Sequence, residues 1–207
     1  MTWVGPSIDR WMPRSLLVRR GASSRRAVAL TFDDGPDGQT LEYLDLLDRL
    51  SVKATFFMIG QQGERRAAEM AEVARRGHEL ASHGYTHRAL THLSRREILD
   101  ELSKTKAILP SPTRLVRPPF GAISLRSFAH MLSCGYTTVL WSLDSDDCRT
   151  DRPESVIDRL HPSRIKPGEI ILLHEGQKWT LEALPTVVQA LKEDGYSLVT
   201  VSDLLGR

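Results

Sequence analysis

Ala27 to Phe32 is an unbroken run of apolar and small residues, and two adjacent carboxylates, Asp33 and Asp34, end it just before Gly35-Pro36. The run predicts a buried strand, and the Gly-Pro pair turns the chain sharply away from it. Neighbouring side chains on a strand point to opposite faces, so the two carboxylates aim in different directions. Two anions at the end of a core strand are costly unless each meets a cation, a metal or a shared proton. A chain built this way must bring neutralising groups to that strand end from elsewhere.

The rest of the composition allows it. A length of 207 residues suits one domain with a sizeable core. A chain that is 41% hydrophobic and 26% charged, with a net charge of +2, is not generally disordered and gives no reason to expect nucleic-acid binding. Cys134 and Cys148 make no C-x-x-C pair. Free thiols in a reducing compartment are the expectation, and a disulfide between them the alternative. No apolar run approaches the roughly 18 residues needed to cross a bilayer, and the N-terminus has no secretory h-region. The expected location is therefore cytoplasmic or membrane-peripheral, or exported if a signal has been removed. Residues 1–26 form a basic and aromatic arm in which Trp3, Trp11, Met12, Leu16, Leu17 and Val18 mix with Arg10, Arg14, Arg19, Arg20, Arg25 and Arg26. The arm is expected to pack on the domain, residues 27–207, with peripheral membrane contact as the alternative. Oligomeric state leaves no mark on the sequence.

Strand-like and helix-like segments alternate beyond the arm. Strands are expected at 27–32, 54–59, 79–82, 115–117, 137–143, 169–173 and 197–201. Helices are expected at 41–50, 65–76 with Gly77 beyond its end, 94–109 opened by the capping-box spacing of Ser94 and Glu97, 125–133, 153–160 and 181–194 with Pro185 in its first turn. This alternation implies a parallel α/β fold, as a closed or nearly closed barrel or as an open doubly wound sheet. Asp33, Asp34, His83, Arg117, Asp144 and His174 all fall at or just past the C-terminal ends of expected strands, the edge where sites assemble in such folds.

Each motif also has an ordinary explanation. His83 and His87 are spaced to share a metal, yet most such pairs are incidental; a carboxylate from a neighbouring strand end would complete a three-ligand set. In Arg117-Pro118-Pro119-Phe120-Gly121, two prolines remove two N–H donors and leave Phe120 the next amide. Arg117 is either the counter-ion of a buried carboxylate or a solvated residue on a rigid turn. The acids from Asp144 to Asp147 would ordinarily cap a loop, and His174, ending an apolar strand, would ordinarily be a hydrogen-bonded core histidine.

Taken in order, TFDDGP (31–36), HGYTH (83–87), RPPFG (117–121), DSDDC (144–148) and LLH (172–174) resemble the polysaccharide deacetylase family, also called the NodB-homology domain or carbohydrate esterase family 4. The resemblance runs from about Val28 to Val201. It implies a distorted (β/α) barrel of seven or eight strands and a divalent metal, zinc first with cobalt or another ion possible, used to remove N-acetyl groups from amino sugars. It further implies Asp34, His83 and His87 as metal ligands, Asp33 as general base and Arg117 as its partner. His174 would be the general acid, held by Asp147, and the Phe120 N–H an oxyanion donor beside Pro119. The chain departs from the family pattern at Cys148, where an aromatic residue is usual, and at Glu175, where aspartate is common. Trp179 is expected either to stack on sugar in place of the missing ring or to pack at a helix start. The implied partner is a carbohydrate substrate. Alternatives are an O-acetyl esterase, a deformylase, or a catalytically silent carbohydrate-binding domain.

Overall fold

The structure, a computed structural model, describes residues 16–22, 24–111 and 114–206. Nine strands form one sheet: β1 Leu17–Val18, β2 Ala27–Gly35, β3 Thr55–Met58, β4 Glu79–Ser82, β5 Leu115–Val116, β6 Thr137–Val139, β7 Leu143–Asp144, β8 Ile170–His174 and β9 Ser197–Val199. Among the described residues eight α-helices accompany them: α1 Thr40–Arg49, α2 Gly60–Arg65, α3 Ala67–Arg75, α4 Arg95–Ile108, α5 Leu125–Ser133, α6 Pro153–Arg159, α7 Lys178–Glu193 and α8 Val201–Leu204. The order is β1-β6-β5-β4-β3-β2-β8-β7, with β9 beside the start of β2, and every strand pairing is parallel.

The linker between β6 and β7 shows that the sheet curls into a distorted barrel. These strands lie near opposite ends of the sheet, yet only residues 140–142 separate them. Four Cα steps span at most about 14 Å, so the two ends of the sheet must come together. Within the linker, Leu140 N–H donates to the Val18 carbonyl and Ser142 N–H to that of Ile170, joining the two sides. The single strand expected over 137–143 is therefore two strands, because the chain changes neighbours where the barrel closes.

Period-two alternation on β2 sorts its residues. Val28, Leu30 and Phe32 pack outward with Tyr43, Leu44 and Leu47 of α1 and Leu184, Val187 and Leu191 of α7. Ala27 and Ala29 belong to an inner cluster with Phe57, Ala81, Leu115, Val139 and Ile170, closed at one end by Val201 and Leu204 of α8. Thr31 and Asp33 continue this inward parity toward the C-terminal end. Small residues on the central strand leave room for the large groups that enter above them.

Two other sequence expectations change. The helix expected over 65–76 is α3, Ala67–Arg75; it starts past a break at Arg66 (φ −131°, ψ 48°) that ends a further short helix, α2. Pro185 lies inside α7 rather than in its first turn, on its exposed face, where packing of the buried Ala183, Leu184, Val187 and Val188 outweighs one lost helical hydrogen bond. The described residues of the expected arm lie against the domain: β1 pairs with β6 and Arg20 bridges Glu169. Trp3, Arg10, Trp11, Met12 and Arg14 lie outside the described residues. No helix among the described residues is long and apolar enough to cross a membrane.

His78, between α3 and β4, makes stability pH-dependent. Its Nδ1 accepts the Ala54 N–H at 3.2 Å, its Nε2 is buried without a hydrogen bond among the described residues, and its ring meets Phe56 edge-on. Burial, with the nearby charges of Lys53 and Arg76, lowers its pKa to about 4. The unfolded chain binds this proton near pH 6.5 and the folded chain only near 4. Stability from this group is thus full above 6.5 and falls as the pH drops from 6.5 towards 4, by ~3 kcal/mol. His78→Asn keeps an acceptor for Ala54, and urea denaturation across this window should show a flatter pH dependence than wild type.

Candidate active site

Asp33 is buried at the inner face of β2, and Arg117, just beyond β5, is fully buried opposite it. The Arg117 Nη1 donates to Asp33 Oδ1 at 2.6 Å and to Thr31 Oγ1 at 2.9 Å. Its remaining donors reach the carbonyls of Val139 and Leu140 at 3.4 and 3.2 Å. The guanidinium lies over Phe57 at 4.0 Å and near Trp141 at 5.8 Å from the ring centroids. Complete burial pulls its pKa down and the Asp33 charge pulls it back up. The opening electrostatic problem is solved for Asp33 by an ion pair whose remaining donors are also engaged.

Asp34 is treated differently. The pairing of β2 with β3 skips it, Asp33 facing Phe57 and Gly35 facing Met58, so Asp34 is a bulge residue with φ +71°. The bulge brings its Oδ1 to 3.4 Å from His83 Nε2 and 3.1 Å from His87 Nε2. His83 Nδ1 lies 2.7 Å from the Arg117 carbonyl and must donate to it, which leaves Nε2 with a lone pair aimed at Asp34. Oδ1 of Asp34 is buried without a well-formed hydrogen bond among the described residues. Burial would raise its pKa, but interactions with His83 and His87 outweigh this and hold it well below the usual carboxylate range. Two imidazoles and an orphaned carboxylate oxygen converging on one point suit a divalent cation.

The loop between the two histidines is held by a residue the motifs do not include. Glu101 of α4 is buried and accepts the N–H groups of Tyr85 (2.7 Å) and Thr86 (2.9 Å) and the Thr86 hydroxyl (2.6 Å). Its signal was present in the sequence, since a charged residue shares the face of Ile98, Leu102 and Thr105.

Across the site, His174 ends β8 in register with Asp33. Its Nδ1 and backbone N–H meet the two oxygens of Asp147 at 2.7 and 2.8 Å. Asp147 is fully buried and also accepts the Thr180 hydroxyl at 2.9 Å. Burial alone would lower the His174 pKa; the hydrogen bond to Asp147 and the charges of Asp147, Asp33 and Asp34 outweigh it and raise it to about 9. Glu175, next in the chain, is buried against Gly35, where an added Cβ would sit 2.1 Å from its Oε1. Burial raises it to about 8, and the Thr40 hydroxyl donates to its other oxygen. Its side chain props the turn that carries Asp34.

The substrate-side expectations divide. Phe120 is 70% exposed, stands 4.6 Å from the His87 ring with φ +61°, and its N–H meets no acceptor among the described residues. Pro119 is buried, packed against Gly84, so it shapes the loop from below and does not face a ligand. Trp179 is half-buried in the first turn of α7 and donates its indole N–H to the Asp147 carbonyl at 2.6 Å. That bond holds Asp147, and the ring packs in part against the core cluster around α1 and α7. Cys148 is exposed and Cys134 half-buried; neither is in a disulfide, and burial and nearby acids raise the Cys148 pKa.

A model described as "Polysaccharide deacetylase" matches residues 20–139, more than half of the chain. The chain belongs to the polysaccharide deacetylase family. It is 35% identical over 192 residues to a peptidoglycan-N-acetylglucosamine deacetylase of Bacillus cereus, covering 88% of this chain and 90% of that protein. A peptidoglycan-N-acetylglucosamine deacetylase of Listeria monocytogenes is 33% identical over 95% of this chain, which spans 43% of its length. Among solved structures, a peptidoglycan N-acetylglucosamine deacetylase in complex with a naphthyl N-oxidanyl-benzamide superposes with a TM-score of 0.90 at 28% identity, covering 99% and 98% of the two chains. As in the family, this polysaccharide deacetylase domain is a distorted α/β barrel.

Breaking the Asp33–Arg117 pair should destabilise the fold, because it strands a buried charge. Arg117→Met is expected to cost about 3–5 kcal/mol in urea denaturation. The Asp33→Asn/Arg117→Met double variant should recover a substantial part of that loss.

Proposed function

We propose that this chain hydrolyses the N-acetyl group of an amino sugar within a glycan, releasing acetate, and that peptidoglycan-type glycans are its substrates. One observation carries this reading: β2 and β8 set Asp33 and His174 side by side in register, flanking the Asp34–His83–His87 cluster. The names of the relatives support the same chemistry.

Asp34, His83 and His87 would hold a divalent metal, zinc first, which when bound supplies Lewis acidity toward the amide carbonyl and toward water. Asp33 has one oxygen on Arg117, while the other faces the cluster 3.7 Å from His83 Nε2. That free oxygen is placed to take a proton from the attacking water, and Arg117 keeps the carboxylate ionised and oriented. The unengaged Phe120 N–H donates to the carbonyl oxygen as negative charge develops there. His174 then gives its proton to the departing amine, and Asp147 holds the ring in its protonated form. Amide and water become amine and acetate. Exposed Phe120 offers a face for the sugar ring.

Asp33→Asn should lower acetate release from N-acetylated glycan oligomers by at least ~100-fold while stoichiometric zinc binding persists. Turnover within tenfold of wild type would overturn the role of Asp33, and acetate release from O-acetylated sugars alone would overturn the amide reading.

The alkaline limb of the rate profile tests His174. The acid must be protonated to act, so activity is retained below its pKa and falls as pH rises through about 9. Asp147→Asn removes the largest support for that proton and should move the limb down towards the ordinary imidazole value near 6.5. A limb left in place in the variant would exclude His174 as the acid.

A further inference from the structure

A cavity of about 700 Å³ is lined by His87 and Thr86 on one side, and apart from His87 the chemistry above uses none of its lining residues. Ile59 forms its apolar floor, and Gln61, Gln62, Arg65, Arg66 and Glu69 carry its polar wall. The side-chain amides of Gln61 and Gln62 make no hydrogen bond among the described residues, and Arg65 makes no ion pair there. Arg66 pairs with Glu69 at 2.9 Å and remains partly exposed. Its other end reaches the loop after Pro36, since a Cβ on Gly38 would lie 3.9 Å from Nη2.

Consecutive residues on a helix point about 100° apart and do not share a face. Arg65 and Arg66 line one cavity because the chain breaks between α2 and α3 at Arg66 itself. The wall is also fixed relative to the cluster. Gly60 and Gln61 donate their N–H groups to the carbonyls of Gly84 and Tyr85, both at 2.9 Å, within the loop that bears His83 and His87. A Cβ on Gly60 would come within 2.7 Å of the Tyr85 ring, so this contact requires glycine. The cavity is therefore a rigid extension of the site, rich in donors and bearing one more cation than anion on its wall.

We propose that this cavity is a subsite for a carboxylate substituent on the glycan unit next to the one deacetylated. The chain would thereby favour carboxylated amino-sugar polymers over neutral ones. A single carboxylate matches the balance of two guanidinium groups against Glu69, and planar guanidinium and amide donors suit its geometry. A free lactyl ether on the sugar presents such a group, and once a peptide is attached through that carboxyl the peptide's own carboxylates present it. The inference rests on the deacetylase reading.

The test compares kcat/KM of zinc-loaded wild type and of the Arg65→Gln/Arg66→Gln double variant. The substrates are a neutral N-acetylglucosamine oligomer, an equally long glycan with free lactyl carboxylates, and one whose lactyl groups carry peptides. Wild type should prefer a carboxylated glycan, and the double variant should lower the ratio of carboxylated to neutral kcat/KM by about tenfold, mainly through KM. A loss confined to the peptide-bearing glycan assigns the subsite to peptide carboxylates, a loss confined to the free-lactyl glycan assigns it to the lactyl carboxylate, and a loss on both shows that the subsite takes either. An unchanged ratio overturns the proposal. Calorimetric binding of the same glycans to zinc-loaded Asp33→Asn protein separates the two readings. If wild type releases no acetate from any of them, the deacetylase reading fails, while loss of carboxylated-glycan binding in the triple variant still supports the subsite and unchanged binding overturns it.

Discussion

The ion pair between Asp33 and Arg117 is the constraint around which the barrel is arranged. A guanidinium and a carboxylate removed from water lose several kcal/mol of hydration each, and good geometry must offset this. Arg117 finds that geometry only because four separate parts of the chain meet it: Asp33 and Thr31 on β2, the carbonyls at the end of β6, Phe57 on β3 and Trp141 in the closing linker. The same residue's carbonyl fixes the tautomer of His83. One arginine thus orients the candidate base with its side chain and a candidate metal ligand with its backbone. A shift of the Arg117 loop would disturb both at once.

The loops above this pair carry backbone conformations that ordinary residues avoid. Asp34, His87, Phe120 and Asp146 all have positive φ, and Ser51 is the one such non-glycine residue outside the motif loops among the described residues. Such conformations persist where surrounding contacts over-determine them. Here the contacts are visible: the β2–β3 bulge at Asp34, the Glu101 grip next to His87, and the ring of Trp141 under Gly121 beside Phe120. The strain aims side chains and amides at one point instead of along their strands.

Much of this was legible in the sequence, because it follows from local rules. The apolar run ending in two aspartates marked the central strand, and the order of five motifs pointed to the family. The alternation of strands and helices implied a parallel barrel or sheet. What was not legible depends on which segments meet. The division of residues 137–143 into two strands is a product of closure, since the segment itself is uniformly strand-like. Trp179 could not be read as a donor to Asp147 because they lie 32 positions apart. Pro185 misled because first-turn proline is the common case, and only the packed inner face of α7 shows why a mid-helix proline is tolerated. The convergence of Arg65 and Arg66 was hidden by a pattern that read as one continuous helix.

The parity of β2 has one more consequence. Ala27, Ala29, Thr31 and Asp33 face the barrel interior while Val28, Leu30 and Phe32 face the helices, and β8 is in register with them. A slip of one residue would exchange the two sets, driving a phenylalanine and a leucine into a lumen sized for alanines and leaving Arg117 without its carboxylate. Misregistered chains therefore lose packing and chemistry together. An error of register at β2 would show as lost stability as well as lost activity.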